Sequence, residues 1–226
     1  MKKVFFAVLT ILFSLNSFAA VVSSPQGFKG VATVERVISQ AKKELKGNNV
    51  SSRTGSSKMA TDVVSSSIIH RLIIVENLNE DDLFSGRVSW LYNRIGKKGI
   101  GIIASKKSNK DTRGILQITE STLRYVLKLY KNTGIDDDFA KASHNPVMSA
   151  KVAILFVDSA LAALSQDERV KLLRNNALLH DYIATAYNGG INYSLGILRK
   201  GTEFALCSKV ETREYVAKMR LARRLV

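Results

Sequence analysis

Residues 145–164 read NPVMSAKVAILFVDSALAAL, and this run decides the fold class. Asn145 offers a side-chain cap and Pro146 a pre-set φ at the first helical position, so the segment opens as a helix. Beyond the proline the run is apolar on all sides instead of along one stripe, the pattern of a helix buried all round. Lys151 and Asp158 interrupt it and argue against a membrane span. The segment is expected to be the central helix of a mostly α domain.

Helical signals continue on both sides. Thr119 can cap a helix that carries Leu123, Val126, Leu127 and Tyr130 on one face and stops near Gly134. Residues 165–168, Ser-Gln-Asp-Glu, read as a capping box. Residues 181–187 lead to a stop at Gly189 and Gly190, and residues 211–225 close the chain as a basic helix. Upstream, residues 30–46 have helical content through Val34, Val37, Ile38, Ala41 and Leu45. Residues 47–58, GNNVSSRTGSSK, are expected to be a flexible linker, with the main domain starting near Met59. Val64, Ile68, Leu72 and Glu76 recur every four residues, which places Glu76 on an apolar face near a helix end; β-branched content makes a strand the competing reading. Residues 87–95 and 100–105, rich in Val, Trp, Tyr and Ile and separated by Gly96-Lys97-Lys98-Gly99, read as a β-hairpin with a short turn.

Composition bounds the chemistry. With 226 residues, 46% of them hydrophobic, and two prolines, the chain can bury a core, and collagen, coiled-coil and low-complexity readings are out. The single cysteine, Cys207, excludes an intramolecular disulfide, a Cys-rich zinc site and a Cys-x-x-Cys redox pair, and it is expected to be an inert apolar residue. The cationic Met1-Lys2-Lys3 start, the apolar run over residues 4–15 and the small Ser17 and Ala19 around Phe18 read as a cleavable signal peptide ending at Ala19 or Ala20, hence export to a periplasm. An uncleaved anchor is the alternative, though the run is short of the ~20 residues a span needs. Without Lys2 and Lys3 the formal charge falls from +15 to +13, with a basic tail of Arg213, Lys218, Arg220, Arg223 and Arg224. Such a tail would meet a polyanion, and outside the cytoplasm an envelope polymer fits better than nucleic acid.

One carboxylate on an apolar face is the chemical clue. An acid desolvated by Ile and Leu has its charged form disfavoured and can stay a proton donor near neutral pH, as acid-catalysed glycosidic cleavage requires. Glu120 is the rival, but at the first turn of a helix the macrodipole already accounts for it. Glu80, Asp81 and Asp82 read as a solvated acidic turn. Trp90 and Tyr92 are expected on one face of the hairpin, packing it onto the helices, with sugar stacking as the alternative.

Four later segments bear on this. Ser108 followed by Gly114-Ile-Leu-Gln117-Ile118 and Ser121-Thr122 resembles the Ser-x5-Gly-Leu-Met-Gln-Ile-x-Pro-Ser-Thr stretch of soluble lytic transglycosylases, the goose-lysozyme-like murein-cleaving enzymes. Asn145-Pro146, Ala186-Tyr187-Asn188-Gly189-Gly190 and Glu211-Thr212-Arg213-Glu214-Tyr215-Val216 resemble that family's Asp-Pro, Ala-Tyr-Asn-x-Gly and Glu-Thr-x-x-Tyr-Val pieces, in the family's order. The resemblance covers roughly residues 65–219 and implies a lysozyme-like (goose-type) helical domain, placed here at residues 59–226; the leader at 1–19 and the helix and linker at 20–58 lie outside it and are read from the sequence pattern alone. By position Glu76 corresponds to the family's catalytic acid, followed here by Asn77 where serine is usual. The 41 positions from Glu76 to Gln117 exceed the family's spacing, and the surplus falls on the expected hairpin.

The resemblance also implies roles. Glu76 would protonate the β-1,4 oxygen between N-acetylmuramic acid and N-acetylglucosamine, then take the proton of the muramyl 6-hydroxyl as a 1,6-anhydro ring closes. Ser108 and Gln117 would touch the sugar and its acetamido group, Tyr187 would hold the carboxyl or the oxocarbenium side, and Asn188 would orient the sugar. No metal or organic cofactor is implied. The implied partner is the peptidoglycan strand, with an envelope-spanning secretion or conjugation machine as the candidate assembly, no nucleic acid and no stable membrane insertion. A water-using muramidase and an inactive peptidoglycan-binding scaffold stay open as alternatives.

Overall fold

A computed structural model describes residues 25–55, 57–104, 111–169, 176–200 and 209–226. The leader, Ser108, Cys207 and the helix expected to open at residues 165–168 lie outside the described residues, wholly or in part. The fold is mostly helical. In chain order it runs α1 (Pro25–Gly47), α2 (Ala60–Val63), α3 (Ser66–Asn77), α4 (Glu80–Phe84), α5 (Val88–Lys98), α6 (Gly101–Ala104), α7 (Glu120–Leu129), α8 (Phe139–His144), α9 (Pro146–Ser165), α10 (Asn176–Gly189), α11 (Ile191–Lys200) and α12 (Val210–Ala222). Among the described residues there is no strand, and β pairing is confined to the isolated bridges Ser51–Met59 and Arg113–Ile118.

Two of the three expected caps form; Ser165, expected to open the next helix, instead ends α9, its Oγ donating to the Ala162 carbonyl at 2.9 Å. Thr119 Oγ1 accepts from Thr122 N at 3.1 Å to start α7, and Asn145 Oδ1 accepts from Val147 N at 2.9 Å and Met148 N at 3.2 Å to start α9. The α9 helix is long and apolar enough to cross a membrane, yet most of it is buried inside the fold against α1, α7, α8 and α10. It is the core helix. Its two charges find partners: Lys151 Nζ lies 2.5 Å from Glu44 Oε2 and donates to the Gly134 carbonyl at 3.2 Å. That ammonium, with Gln40, holds the Glu44 carboxyl below its ordinary value.

The hairpin expected over residues 87–105 is instead α5 followed by the short α6. The reason lies in spacing. Val88, Leu91, Tyr92 and Ile95 stand at i, i+3, i+4 and i+7, and all four are buried, so a helix hides them together where a strand would split them between two faces. The Gly96–Gly99 segment is a helix end and not a hairpin turn: Lys97 and Lys98 occupy the last turn of α5, and Gly99, at φ 77°, stops it. Trp90 then falls off the buried face, 51% exposed under the Arg94 guanidinium, while Tyr92 Oη makes a hydrogen bond of 2.8 Å with His70 Nε2 inside. Against α5 runs α1, and the backbones approach tightly at Gly30, where a Cβ would stand 1.9 Å from the Tyr92 carbonyl oxygen.

The described residues of the 47–58 stretch, 47–55 and 57–58, are tied to the fold where composition predicts a flexible linker. Ser52 N donates to the Lys58 carbonyl at 3.0 Å, and Ala60 N to that of Val50 at 3.1 Å. Asp158, fully buried on α9, accepts from Ser52 Oγ at 2.6 Å, Arg53 N at 2.8 Å and Tyr130 Oη at 2.7 Å. A buried carboxylate needs donors, and this segment supplies two of the three. The apolar side of α1, with Val34, Ile38, Ala41 and Leu45, belongs to the same core as α3, α5 and α9.

Candidate functional site

The site is built at the C-terminal end of α3. Ser65 caps that helix, with its Oγ accepting from Ile68 N at 3.4 Å, and Ile68, Leu72, Ile73 and Val75 are buried in the core. The helix ends at Asn77, whose Nδ2 donates to the Ile73 carbonyl at 2.7 Å and to the Ile115 carbonyl at 2.8 Å. Asn77 thereby pins the end of α3 to the turn over residues 113–118, a task for two N–H donors that the single hydroxyl of serine could not perform. One residue before it, Glu76 is half-buried. Its Oε1 accepts a hydrogen bond of 2.7 Å from Tyr215 Oη, 139 positions downstream on α12.

Around this pair lies a groove of about 520 Å³, bounded by the 75–79 segment, Asp82 on α4, Asn188 on α10 and Glu211, Glu214, Tyr215 and Lys218 on α12. Burial, the Glu76 charge and the bond to it push the Tyr215 hydroxyl well above its ordinary value, so it stays a donor. Burial and then the Glu76 charge do the same to Tyr187. Both effects follow from desolvation beside a carboxylate, which disfavours a second negative charge.

The residues singled out in the sequence meet different fates. Glu76 and Asn188 share the groove. Asn188 Oδ1 accepts from Thr212 Oγ1 at 3.1 Å, which couples the end of α10 to the first turn of α12. Tyr187 stands near Glu76 but donates to the Leu116 carbonyl at 2.8 Å, and the bond to the carboxylate expected of it is made by Tyr215. Gln117 lies outside the groove lining. Its backbone is left-handed at φ 46°, its Nε2 donates to the Gly114 carbonyl at 2.7 Å and its Oε1 accepts from Thr112 Oγ1 at 2.8 Å, so the amide closes its own turn. Gly114 is required there, at φ 81° with a Cβ position 2.1 Å from the Ser143 carbonyl oxygen. Ser108 lies outside the described residues. The rival Glu120 is exposed and pairs with Arg124 at 3.2 Å on the surface of α7.

Comparison with protein-family models, with curated proteins and with solved structures finds no match to this chain. The site therefore rests on its own geometry.

Two residues of the site escape a reading of the sequence alone. Tyr215 is legible as a buried position, since Thr212, Tyr215, Val216 and Met219 repeat at helical spacing and are all buried, but nothing local names Glu76 as its partner. Lys218 reads as one charge of a basic tail. Its Nζ donates instead to the carbonyls of Val75 at 2.9 Å and Leu78 at 3.2 Å. Arg220 of the same tail is likewise engaged, in a two-pronged pair with the buried Asp181 at 2.7 Å. No group of three or more His, Cys, Asp or Glu side chains placed to hold a metal ion occurs among the described residues.

Proposed function

We propose that this chain is an exported, periplasmic peptidoglycan lytic transglycosylase of the goose-lysozyme-like kind, with Glu76 as its acid and base. The observation that carries the reading is the hydrogen bond of 2.7 Å between Tyr215 and Glu76 in a groove shared with Asn188. Three of the segments that prompted the resemblance meet around the end of α3 that carries this carboxylate: the 113–118 turn through Asn77, residues 186–190 through Tyr187 and Asn188, and residues 211–216 through Tyr215.

The chemistry needs one carboxyl group. Protonated Glu76 gives its proton to the bridging glycosidic oxygen, the bond from the muramyl C1 to that oxygen breaks, and the sugar chain beyond it leaves as an alcohol. Positive charge spreads over C1 and the ring oxygen, where the substrate's acetamido oxygen can share it. The carboxylate left behind then takes the proton of the muramyl 6-hydroxyl as its oxygen bonds to C1. Glu76 ends protonated, as it began, and no water is consumed. Tyr215 holds the carboxylate with a donor that does not titrate in the working range, and Asn188, which lines the same groove, orients the sugar.

A hydrolytic muramidase is favoured by one feature, the three further carboxylates of Asp82, Glu211 and Glu214 along the groove, since a water-using route employs a second acid. Murein digestion followed by mass spectrometry separates the two: anhydromuramyl products, lighter by one water, support the transglycosylase, and reducing ends support the muramidase. Glu76→Gln should clear no zone in a murein gel that wild type clears. An inactive wild type that still pelleted with murein would make the chain a binding scaffold, within reach of an envelope-spanning secretion or conjugation machine.

A further inference from the structure

The end of α3 carries a second grip besides Tyr215. The carbonyls of Val75 and Leu78 flank Glu76 in sequence, at the point where a helix leaves its last acceptors without backbone donors. Lys218 Nζ bonds to both. It stands three positions after Tyr215 on α12, with its ammonium 5.7 Å from the Tyr215 ring centroid, so the two side chains leave the same face of the helix. One holds the carboxylate of Glu76 and the other holds the chain on either side of it.

Charge makes the arrangement more than a cap. Glu76 shares its groove with Asp82 from α4 and with Glu211 and Glu214 from α12, and the hydroxyls of Tyr187 and Tyr215 stand beside it from α10 and α12. Asp82 is itself paired with Arg87 at 2.7 Å. Among the described residues lining the groove, Lys218 is the cation. It also sits at the negative end of the α3 dipole, where a positive charge is stabilised.

We infer that Lys218 is a positioning residue for Glu76, clamping the backbone on both sides of it and balancing its charge against the surrounding carboxylates. The inference rests on reading Glu76 as the catalytic acid and adds to it a determinant of the pH at which that acid works. Loss of the ammonium leaves Glu76 among like charges, which favours its protonated form and moves the pH range in which it works upward, while freeing the two carbonyls loosens its position.

The test uses the full chain with 13C-carboxyl-labelled glutamate, the Glu76 resonance assigned by Glu76→Gln, titrated by NMR beside murein digestion rates. Lys218→Met should raise the Glu76 midpoint by about one pH unit, moving the alkaline limb of the cleavage profile up with it, and through the loosened helix end lower kcat at the pH optimum about tenfold with KM little changed. Lys218→Arg should restore both. If Lys218→Met does not fold, Lys218→Gln, which still donates to one carbonyl but carries no charge, should show the same rise. An unchanged midpoint and an unchanged rate in a folded neutral variant would overturn the clamp while leaving the enzymatic reading intact. A raised midpoint in a chain whose wild type releases nothing from murein would do the reverse.

Discussion

Replacing Asp158 by alanine would test whether residues 47–58 belong to the core. Three donors, Ser52 Oγ, Arg53 N and Tyr130 Oη, converge on this fully buried carboxylate within 2.8 Å. A hydrogen bond to a charged group is worth about 1.5–3 kcal/mol net, but the three share one acceptor and are not additive. Each buried donor left without its acceptor costs about 1–3 kcal/mol, so removing the shared carboxylate costs about 3–5 kcal/mol in all. For a chain of this size each kcal/mol lowers Tm by about 2–4 °C, so the expected fall is about 6–20 °C. Thermal unfolding read by far-UV circular dichroism measures the fall. Amide hydrogen exchange locates it, because Arg53 N–H should lose its protection while the amides of α9 keep theirs up to the new global stability. Tyr130→Phe alone should cost about 1–2 kcal/mol, and in the Asp158→Ala background close to nothing, since its partner is already gone. A Tm fall below about 3 °C with Arg53 still protected would refute the reasoning.

Tyr215→Phe removes the donor to Glu76 with little change in packing; murein cleavage should slow by about 10–100-fold, the equivalent of one hydrogen bond to a carboxylate, while binding to murein sacculi in a pelleting assay stays unchanged. His70 is held neutral, down to about 4, first by burial and then by Arg71. Its folded value lies below the unfolded one of about 6.5, so the unfolded chain binds the extra proton first and stability falls as pH drops from about 6.5 to 4, by roughly 3 kcal/mol at full extent. His180, lowered by burial as well, adds to the same slope. Urea unfolding of His70→Gln at pH 7 and pH 4.5 should show a shallower dependence than wild type, and equal slopes would count against the assignment. Gly30→Ala places a methyl on the Tyr92 carbonyl oxygen and must push α1 from α5, lowering stability by about 1–3 kcal/mol or more, measurable as a lower urea midpoint with m unchanged.

Much of the helical frame is written locally. Thr119 and Asn145 announce their helices because a cap acts on amides two or three residues away, and the all-round apolar run of 146–165 can satisfy itself in no place but the core. The same kind of signal is present at Val88, Leu91, Tyr92 and Ile95, where helical spacing competes with β-branched and aromatic character and with the two glycines around Lys97 and Lys98. Propensity is the weaker signal, and burial of one face overrides it.

No local pattern supplies the identity of partners brought together by packing. Asp158 advertises itself as a charge in an apolar helix, but that its donors come from a Ser-rich stretch 105 positions away depends on how α1 returns past α9. Glu76 is legible as an acid on an apolar face. That Tyr215 and not Tyr187 holds it, and that Lys218 leaves the basic tail to grip the helix end, comes from the crossing of α12 over α3. Periodicity and caps are read within a few residues of chain, whereas a carboxylate is positioned by whichever donors the tertiary crossing brings within about 3 Å of it.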